Sequence, residues 1–305
     1  MYAALPIGSF PYASAALASG IPADGTAESP LILSPRDSDL ATMTASTAVS
    51  SLPVTNLQNQ EPSKVWRSTS ATDQYVDLVF ASDVAINTVA MSAFGRSASL
   101  VWRLELYASA SDVGTTAAVD SGWQPVWPQS YRHNDADFGP EVALLRVTNS
   151  ALYRYARVRL SDPGVDVTYI EVGRLAVGAA IQFSVKVDVE GVGLSFVPND
   201  TAEPNGWGQI FTDPRPAQRQ FNLPWTAVGQ REAVAAAGEL GRLRGMGGDV
   251  FCFLEPAAVE LFHKLSLQGL FVARHDFQTR PLFLTDSDGQ TRQAWGFVFN
   301  LIQKR

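Results

Sequence analysis

The chain has 305 residues, which by length alone indicates about two domains, each able to bury a core of its own. Apolar residues make up 46% of it and charged residues 17%, as expected of a globular protein. The formal net charge is −7 and no run is rich in Lys or Arg, which argues against nucleic acid as a partner. The longest apolar stretches, such as Ile170–Ile181, contain charged residues and are too short to cross a bilayer, so we expect no membrane span.

Residues 1–30 are rich in Ala, Ser, Gly and Pro and show no sustained period of 2 or 3.6. They predict an extended N-terminal arm, which either docks on a neighbouring subunit or forms a tail without contacts. The segment lacks the basic start, the continuous apolar block and the cleavage pattern of a secretory signal. We therefore expect no export by the usual secretory route.

Residues 31–180 predict a β-sandwich, because short strands alternate with turn-rich segments. In Tyr75–Phe80 the residues Val76, Leu78 and Phe80 share one face, which we assign to the core. The other predicted strands are Ala85–Phe94, Leu100–Tyr107, Val142–Thr148, Tyr155–Leu160 and Tyr169–Val177. In the last strand the apolar parity changes around Gly173, which suggests a bulge.

A long connection, Ser109–Gly139, interrupts these strands and is rich in aromatic residues. Loops of this length are unusual unless they have a function. Two interpretations stay open: a structural flap that folds over the sandwich, or an exposed contact surface.

Residues 181–305 predict a smaller α+β domain. Ile181–Val189 alternates and predicts a strand, whereas Pro198–Pro216 is polar and predicts a loop or an excursion between sheets. Arg231–Arg244 predicts a helix with Val234, Ala237 and Leu240 on one face, ended by the glycines that follow. The remaining predicted elements are strands at Arg219–Trp225, Asp249–Leu254, Leu261–Val272, Pro281–Leu284 and Ala294–Leu301, with a hairpin turn at Asp286–Gly289.

The sequence contains no recognisable catalytic or metal-binding motif. His133, His263 and His275 belong to no zinc pattern, and His263 is most simply a strand residue. The segment Gly95–Ser99 fails the nucleophile-elbow pattern of serine hydrolases at its fifth position. The single cysteine, Cys252, lies in an apolar run and is expected to be buried. We assign no catalytic and no metal residues and predict a protein that is not an enzyme.

One segment carries a family resemblance. Leu52–Ser68, and above all its Pro-Ser-Lys-Val-Trp-Arg run, resembles the opening of discoidin-like (F5/8 type C, galactose-binding-fold) modules in tailed-phage virion proteins. Tyr75–Leu78, Val101–Tyr107, Arg154–Leu160 and Ile170–Leu175 resemble later strands of that family. The resemblance covers about residues 31–180 and implies a mainly β fold: a discoidin-like jelly-roll sandwich that commonly binds carbohydrate, followed by the α+β domain. The disulfide of many extracellular relatives is missing, which suits assembly in the host cytoplasm.

The C-terminal half, from Arg219 to Phe299, is loosely similar to small α+β domains of phage tail-tip proteins. Together the two resemblances imply a minor tail or tail-tip protein of a siphophage-type virion. Its partners would be other tail proteins, copies of itself in a homo-oligomer such as a trimer, and a host surface glycan. The competing hypothesis is a carbohydrate-active enzyme or its accessory carbohydrate-binding module.

In such sandwiches a sugar site lies on loops at one end, where aromatic faces stack on pyranose rings and polar side chains bond hydroxyls. The residues that fit this chemistry best are Trp123, Trp127, Tyr131, Arg132, His133, Asn134 and Asp135. The alternative is that this set packs structurally or contacts another subunit.

The family-like motif itself is expected to be structural. Trp66 would fill the base of the sandwich, and Arg67 would pair with a carboxylate. No cofactor is predicted, although Asn56 or Asp73 could help to hold a structural calcium ion of the kind that relatives often have nearby.

Overall fold

The computed structural model describes residues 29–95, 97–126, 142–149, 151–164, 166–183, 185, 187–188, 192–198, 201–204, 207, 209–213, 217–230, 232–245, 247–257, 262–272, 278–285 and 291–304. The arm of residues 1–30 therefore lies almost wholly outside the described residues, and so does the hairpin turn predicted at Asp286–Gly289.

The described part of the chain is dominated by antiparallel strands, which confirms the mainly β fold class. The strands of the N-terminal half are β1 (Leu31–Leu33), β2 (Thr42–Ala45), β3 (Trp66–Arg67), β4 (Gln74–Ala85), β5 (Thr88–Phe94), β6 (Val101–Tyr107), β7 (Val119–Asp120), β8 (Gln124–Pro125), β9 (Val142–Arg146), β10 (Leu152–Ser161) and β11 (Glu171–Gly178). Those of the C-terminal half are β12 (Ile181–Gln182), β13 (Gly193–Val197), β14 (Thr201–Pro204), β15 (Ile210–Asp213), β16 (Gln218–Val228), β17 (Asp249–Phe253), β18 (Ser266–Phe271), β19 (Gln278–Thr285) and β20 (Thr291–Gln303).

The described helical segments are few and short. They are an α-helix at Arg36–Leu40, 3₁₀ turns at Val54–Gln58 and Ala110–Asp112, a π-helical segment at Glu232–Gly238 and an α-helix at Glu239–Arg244. None of them has the length and apolarity that a membrane span requires.

The predicted sandwich is confirmed as two antiparallel sheets that share one core. One sheet has the order β2-β4-β10-β6-β7, with β8 also paired to β6, and the other has the order β3-β11-β5-β9. In β4 the residues Val76, Leu78 and Phe80 are buried in that core, as their alternation predicts. We call the first of these sheets the outer sheet and the second the middle sheet.

The family-like motif has the structural role expected of it. Trp66 is fully buried in the sandwich core, and its Nε1 donates to the Thr47 carbonyl at 3.0 Å. Arg67 donates to Glu171 Oε2 from Nε at 2.8 Å and from Nη2 at 2.6 Å. The motif thus fastens β3 to β11 at the start of the middle sheet.

The irregularity expected at Gly173 takes a different form from a bulge. The pairing of β11 with β5 keeps one register from Val172 to Gly178, but Ala93, in β5, has a φ of 53°. A Cβ at Gly173 would lie 2.7 Å from the Ala93 Cβ and 2.9 Å from the Pro62 carbonyl oxygen. Glycine is required here because the chain is closely approached by backbone on one side and by Ala93 on the other.

The middle sheet is covered on both faces. On one side lies the sandwich core, and on the other a second apolar cluster joins it to β1 and β17 of the C-terminal sheet. That cluster consists of Leu31, Leu33, Ala90, Val142, Ala176, Ala180, Phe251 and Phe253. Double burial explains why β5 and β11 carry nearly continuous apolar runs instead of the alternation of β4.

The C-terminal half is the predicted α+β unit, a large antiparallel sheet with a short helical segment packed on it. The sheet order is β12-β1-β17-β18-β20-β16-β13, and β19 also pairs with β20. Leu31–Leu33, from the start of the described chain, thus forms a strand inside this sheet. Its far face holds the third apolar cluster, where Phe183, Trp225, Phe297 and Phe299 make close ring contacts.

The predicted helix is confirmed in position but differs in its buried face. Ala233, Ala237 and Leu240 are buried, whereas Val234 is 52% exposed, so its assignment to the apolar face was wrong. The π-helical winding of Glu232–Gly238 changes the angular position of each residue and accounts for the difference. Gly245, with a φ of 52°, ends the helix as the glycine pattern predicts.

Three further predictions of the C-terminal half need correction. Among the described residues of the strand predicted at Ile181–Val189, only Ile181 and Gln182 form a strand, β12, because the three-residue strand β1 pairs with these two alone. Pro198–Pro216, predicted as a loop or an excursion between sheets, contains the hairpin β14–β15, because backbone N–H and C=O groups can pair whichever side chains they carry. His263 lies in the turn before β18 and not on a strand.

Cys252 is fully buried as expected, and its burial raises the pKa of the thiol.

A buried charge network connects the sandwich to the C-terminal sheet. Arg174 of β11 is fully buried and donates to Asp249 of β17 from Nε and Nη2, both at 2.9 Å. It also donates to both carboxylate oxygens of Asp39, at 2.5 and 3.0 Å. Arg244 Nη2 donates to Asp249 Oδ1 at 2.6 Å, and Gln268 Nε2 donates to Asp249 Oδ2 at 2.8 Å. Two guanidiniums thus face two carboxylates, and the network is neutral.

Replacing Arg174 with Met should lower the free energy of unfolding by about 3–5 kcal/mol, because it leaves the buried carboxylate of Asp249 without its main counter-charge. Urea unfolding followed by circular dichroism measures this loss. Arg242→Met is the matched control, because Arg242 forms an exposed pair with Glu239 and should change stability little.

The same network predicts acid sensitivity. Burial alone would raise the pKa of Asp249, but the hydrogen bond and charge of Arg174, the charge of Arg244 and the Gln268 amide outweigh it and lower that pKa. The stabilisation is therefore present above the pKa of an unfolded Asp, about 4, and is lost as the pH falls through the lowered value. Equal stability of the wild type and Arg174→Met at neutral pH would contradict this account.

Candidate functional site

The long connection folds onto the sandwich as far as it is described. Its strands β7 and β8 pair with β6, and Val126 is buried in the core. The backbone up to residue 126 therefore follows the sheet as the structural interpretation expects, whereas the Trp123 side chain is 41% exposed. The other six predicted site residues lie outside the described residues: Trp127, Tyr131, Arg132, His133, Asn134 and Asp135.

Trp123 lies at one end of the outer sheet. The pairing of Val101 with both Ser161 and Pro125 places the start of β6, the end of β10 and strand β8 at this same end, where β4 also begins. The Arg159 guanidinium lies over the indole, with its carbon 5.8 Å from the ring centroid, at the outer limit of a cation–π contact. An exposed aromatic ring thus lies beside charged groups at one end of the sandwich.

A row of alternating charges crosses the outer sheet beside Trp123. It runs from Asp73 through Arg159, Glu105 and Arg103 to Asp120. Arg159 Nε donates to Asp73 Oδ1 at 3.2 Å, and Arg103 Nε lies 3.1 Å from Glu105 Oε1. Arg103 also donates two hydrogen bonds to Asp120, from Nε to Oδ1 at 2.7 Å and from Nη2 to Oδ2 at 2.5 Å. We call these five side chains the charge row.

The electrostatics of the charge row favour the ionised form of Asp120. The hydrogen bonds from Arg103 lower the pKa of Asp120, and the Gly122 backbone N–H and the nearby guanidiniums add to the effect. The same bonds raise the pKa of Arg103. Fixed ionised groups of this kind orient sugar hydroxyls but do not supply a proton.

The middle of the outer sheet carries a second ion pair, which a turn covers. Arg157 donates to Asp77 at 2.6 and 2.9 Å and lies over the Tyr75 ring, 3.9 Å from its centroid. The turn containing Gly114 covers this pair so closely that a Cβ there would lie 2.6 Å from Arg157 Nη1. Trp123 lies beyond the part of the sheet that the Gly114 turn covers.

The loops at this end are held by one buried carboxylate. Asp162 Oδ1 accepts hydrogen bonds from Ser97 Oγ at 2.9 Å, Ser99 Oγ at 2.6 Å and the Gly164 backbone N–H at 3.1 Å. Asp162 is itself almost completely buried. It preorganises the loops of the Trp123 end without offering a free group to a ligand.

The sequence signalled this site only in part. Trp123 was predicted, whereas Arg103, Arg159 and Asp120 were missed. The alternation of β4 placed Tyr75 and Asp77 on the outer face. Applying the same alternation to β6 and β10 would have placed Arg103 and Arg159 there too.

The predicted cation ligands have other partners in the described structure. Asn56 Nδ2 donates to the Val65 carbonyl at 2.8 Å, and Asp73 accepts from Arg159. Within the described ranges no three His, Cys, Asp or Glu side chains lie together as a metal site would need. The structural calcium ion stays a prediction.

The comparisons with known proteins find likenesses of structure but none of sequence. No protein-family model and no curated protein sequence matches the chain. A family 32 carbohydrate-binding module of C. perfringens NanJ, solved with galactose, is 10% identical, with 48% of this chain and 98% of the module covered and a TM-score of 0.35. Chitosan-binding module 1 from a Paenibacillus sp. chitosanase/glucanase is 17% identical, with coverages of 45% and 94% and a TM-score of 0.31. Neither likeness bears on the ligand of this chain.

The covered part of the outer sheet gives a spectroscopic prediction. Burial and the hydrogen bond from its hydroxyl to Glu105, 2.5 Å long, raise the pKa of Tyr107 to about 12. The stabilisation by the neutral phenol is complete below the ordinary value of about 10 and is lost as the pH rises toward 12. Ultraviolet titration of the wild type minus Tyr107→Phe should show one tyrosine ionising near the upper value. A difference curve centred near 10 would contradict the buried bond.

Proposed function

We propose that this protein is a non-enzymatic carbohydrate-binding protein whose sandwich binds sugar at the Trp123 end of the outer sheet. The observation that carries the proposal is the exposed Trp123 indole beside the charge row. A pyranose stacks its C–H face on an indole, and its hydroxyls bond to charged groups held at the ring's edge. The loops are fixed by Asp162, so little ordering is needed on binding.

The alternative is a carbohydrate-active enzyme, or an accessory module of one. Glycoside hydrolysis requires a carboxylic acid whose pKa is raised so that it can protonate the leaving group. At the Trp123 end the pKa of Asp120 is shifted in the opposite direction. This supports a binding role for the described face, and a non-catalytic accessory module is consistent with the same geometry.

We further propose that the protein is assembled in the host cytoplasm into a phage tail tip, where it meets other tail proteins and copies of itself and presents the sandwich to a host glycan. The support for this part is the sequence resemblance of the Pro62–Arg67 run and its neighbours. Gold-labelled antibody against this chain should mark the tail end of intact particles in electron micrographs. Unlabelled particles would leave the free binding protein or the accessory module as the function.

Trp123→Ala should weaken glycan binding by at least about tenfold, because it removes the stacking surface but leaves the sandwich core intact. Isothermal titration calorimetry with a panel of oligosaccharides measures the change. Trp207→Ala is the matched control, because Trp207 is 92% exposed and belongs to the C-terminal half.

Two results would contradict the proposed site. Unchanged affinity in Trp123→Ala would place binding elsewhere on the chain. Equal losses in Trp123→Ala and Trp207→Ala would show that the effect is not specific to the outer sheet.

A further inference from the structure

We infer that the Trp123 end is built for a glycan with free amino groups, and that it binds a protonated amino sugar in preference to the N-acetylated or acidic form. The inference rests on the proposed function and names the class of sugar. It follows from the charges around Trp123, from their unequal exposure and from the partners that they already have.

The charge row carries a net negative charge. It contains three carboxylates, Asp73, Glu105 and Asp120, and two guanidiniums, Arg103 and Arg159, which leaves a formal charge of −1 among the described side chains. The neighbouring pair of Arg157 and Asp77 is neutral and adds nothing. Among the side chains that the structure describes here, a ligand that approaches the ring therefore meets a net negative charge.

The outer carboxylates of the charge row are more exposed than its guanidiniums. The side chains of Asp73 and Asp120 are 63% and 39% exposed, whereas those of Arg159 and Arg103 are 25% and 24% exposed. The negative ends of both outer pairs thus point toward solvent, and the positive ends lie closer to the sheet. A ligand meets the carboxylates first.

Both guanidiniums of the charge row already have carboxylate partners. Arg103 donates a bidentate pair of hydrogen bonds to Asp120 and also lies 3.1 Å from Glu105. Arg159 bonds to Asp73 and contacts Glu105 at 3.6 Å. A uronate or sialate carboxylate would have to displace one of these partners and then lie beside the carboxylates that remain, which is unfavourable.

The Trp123 indole also favours a positively charged ligand. The face of an indole attracts a cation through its quadrupole, and the exposed fraction of Trp123 leaves room for a second cation besides Arg159. An ammonium group on a stacked sugar would be close both to the ring and to the rim carboxylates. An N-acetyl group in the same place would lose both attractions.

The test compares three hexasaccharides on the full-length protein: β-1,4-linked glucosamine, its N-acetylated counterpart and galacturonate. Calorimetry is done at about pH 5.5 and low salt, where a glucosamine amine is protonated and ordinary Asp side chains are ionised. We expect the glucosamine hexamer to bind roughly tenfold more tightly than the N-acetylated one. The galacturonate hexamer should bind more weakly still.

The variants assign the preference to the two rim carboxylates. The double variant Asp73→Asn with Asp120→Asn should reduce the ratio of glucosamine affinity to N-acetylated affinity to about threefold or less. Asp83→Asn is the matched control, since Asp83 is an exposed carboxylate at the far end of β4 and should keep the full preference. Thermal unfolding of each variant shows whether a loss of binding reflects a loss of fold.

The outcomes separate the two proposals. If no hexamer binds and the wider oligosaccharide panel also fails, the proposed function falls and this inference with it. If binding needs Trp123 but the N-acetylated or acidic hexamer binds as well as glucosamine, the proposed function stands and the amino-sugar inference is overturned. If the preference survives in the double variant but is lost in Asp83→Asn, the assignment to the Trp123 end is overturned.

Discussion

The bidentate ion pair between Arg174 and Asp249 is the interaction on which the arrangement of the two halves depends. Both side chains are fully buried, so each charge needs the other at the correct distance and angle. Apolar contacts alone are compatible with many relative positions of two sheets. A guanidinium that donates two parallel hydrogen bonds to a carboxylate requires one alignment of the two groups. The network thus adds specificity to a contact that the apolar cluster around Phe251 and Phe253 makes favourable.

Three sheet layers follow from this contact, and they determine which surfaces remain open. The middle sheet is covered on both sides, so the outer sheet provides the sandwich's solvent-facing sheet surface. On it the Gly114 turn covers Arg157 and leaves the Trp123 end accessible. The position of the candidate site is therefore a consequence of how the halves pack as well as of the local sequence.

The sequence predicted the elements with strong local signals. Val76, Leu78 and Phe80 alternate and form one buried face, and Trp66 and Arg67 have the structural roles that the family resemblance implied. Predictions failed where tertiary contacts decide. A strand as short as β1 cannot pair with all of Ile181–Val189, and π-helical winding moves Val234 to the solvent side. The charge row was missed because its members come from four separate segments, and the fold alone brings them together.

The pairing of β1 with β17 has a consequence for the order of folding during synthesis. Leu31 leaves the ribosome long before its partner Phe253, so this strand must wait while more than two hundred residues are made. The sandwich strands lie between them in the chain and can pair in the meantime, whereas the C-terminal sheet closes only when late residues return to early ones. Such non-local pairing is slow to form, and a truncated chain would leave the apolar Leu31–Leu33 strand without its sheet.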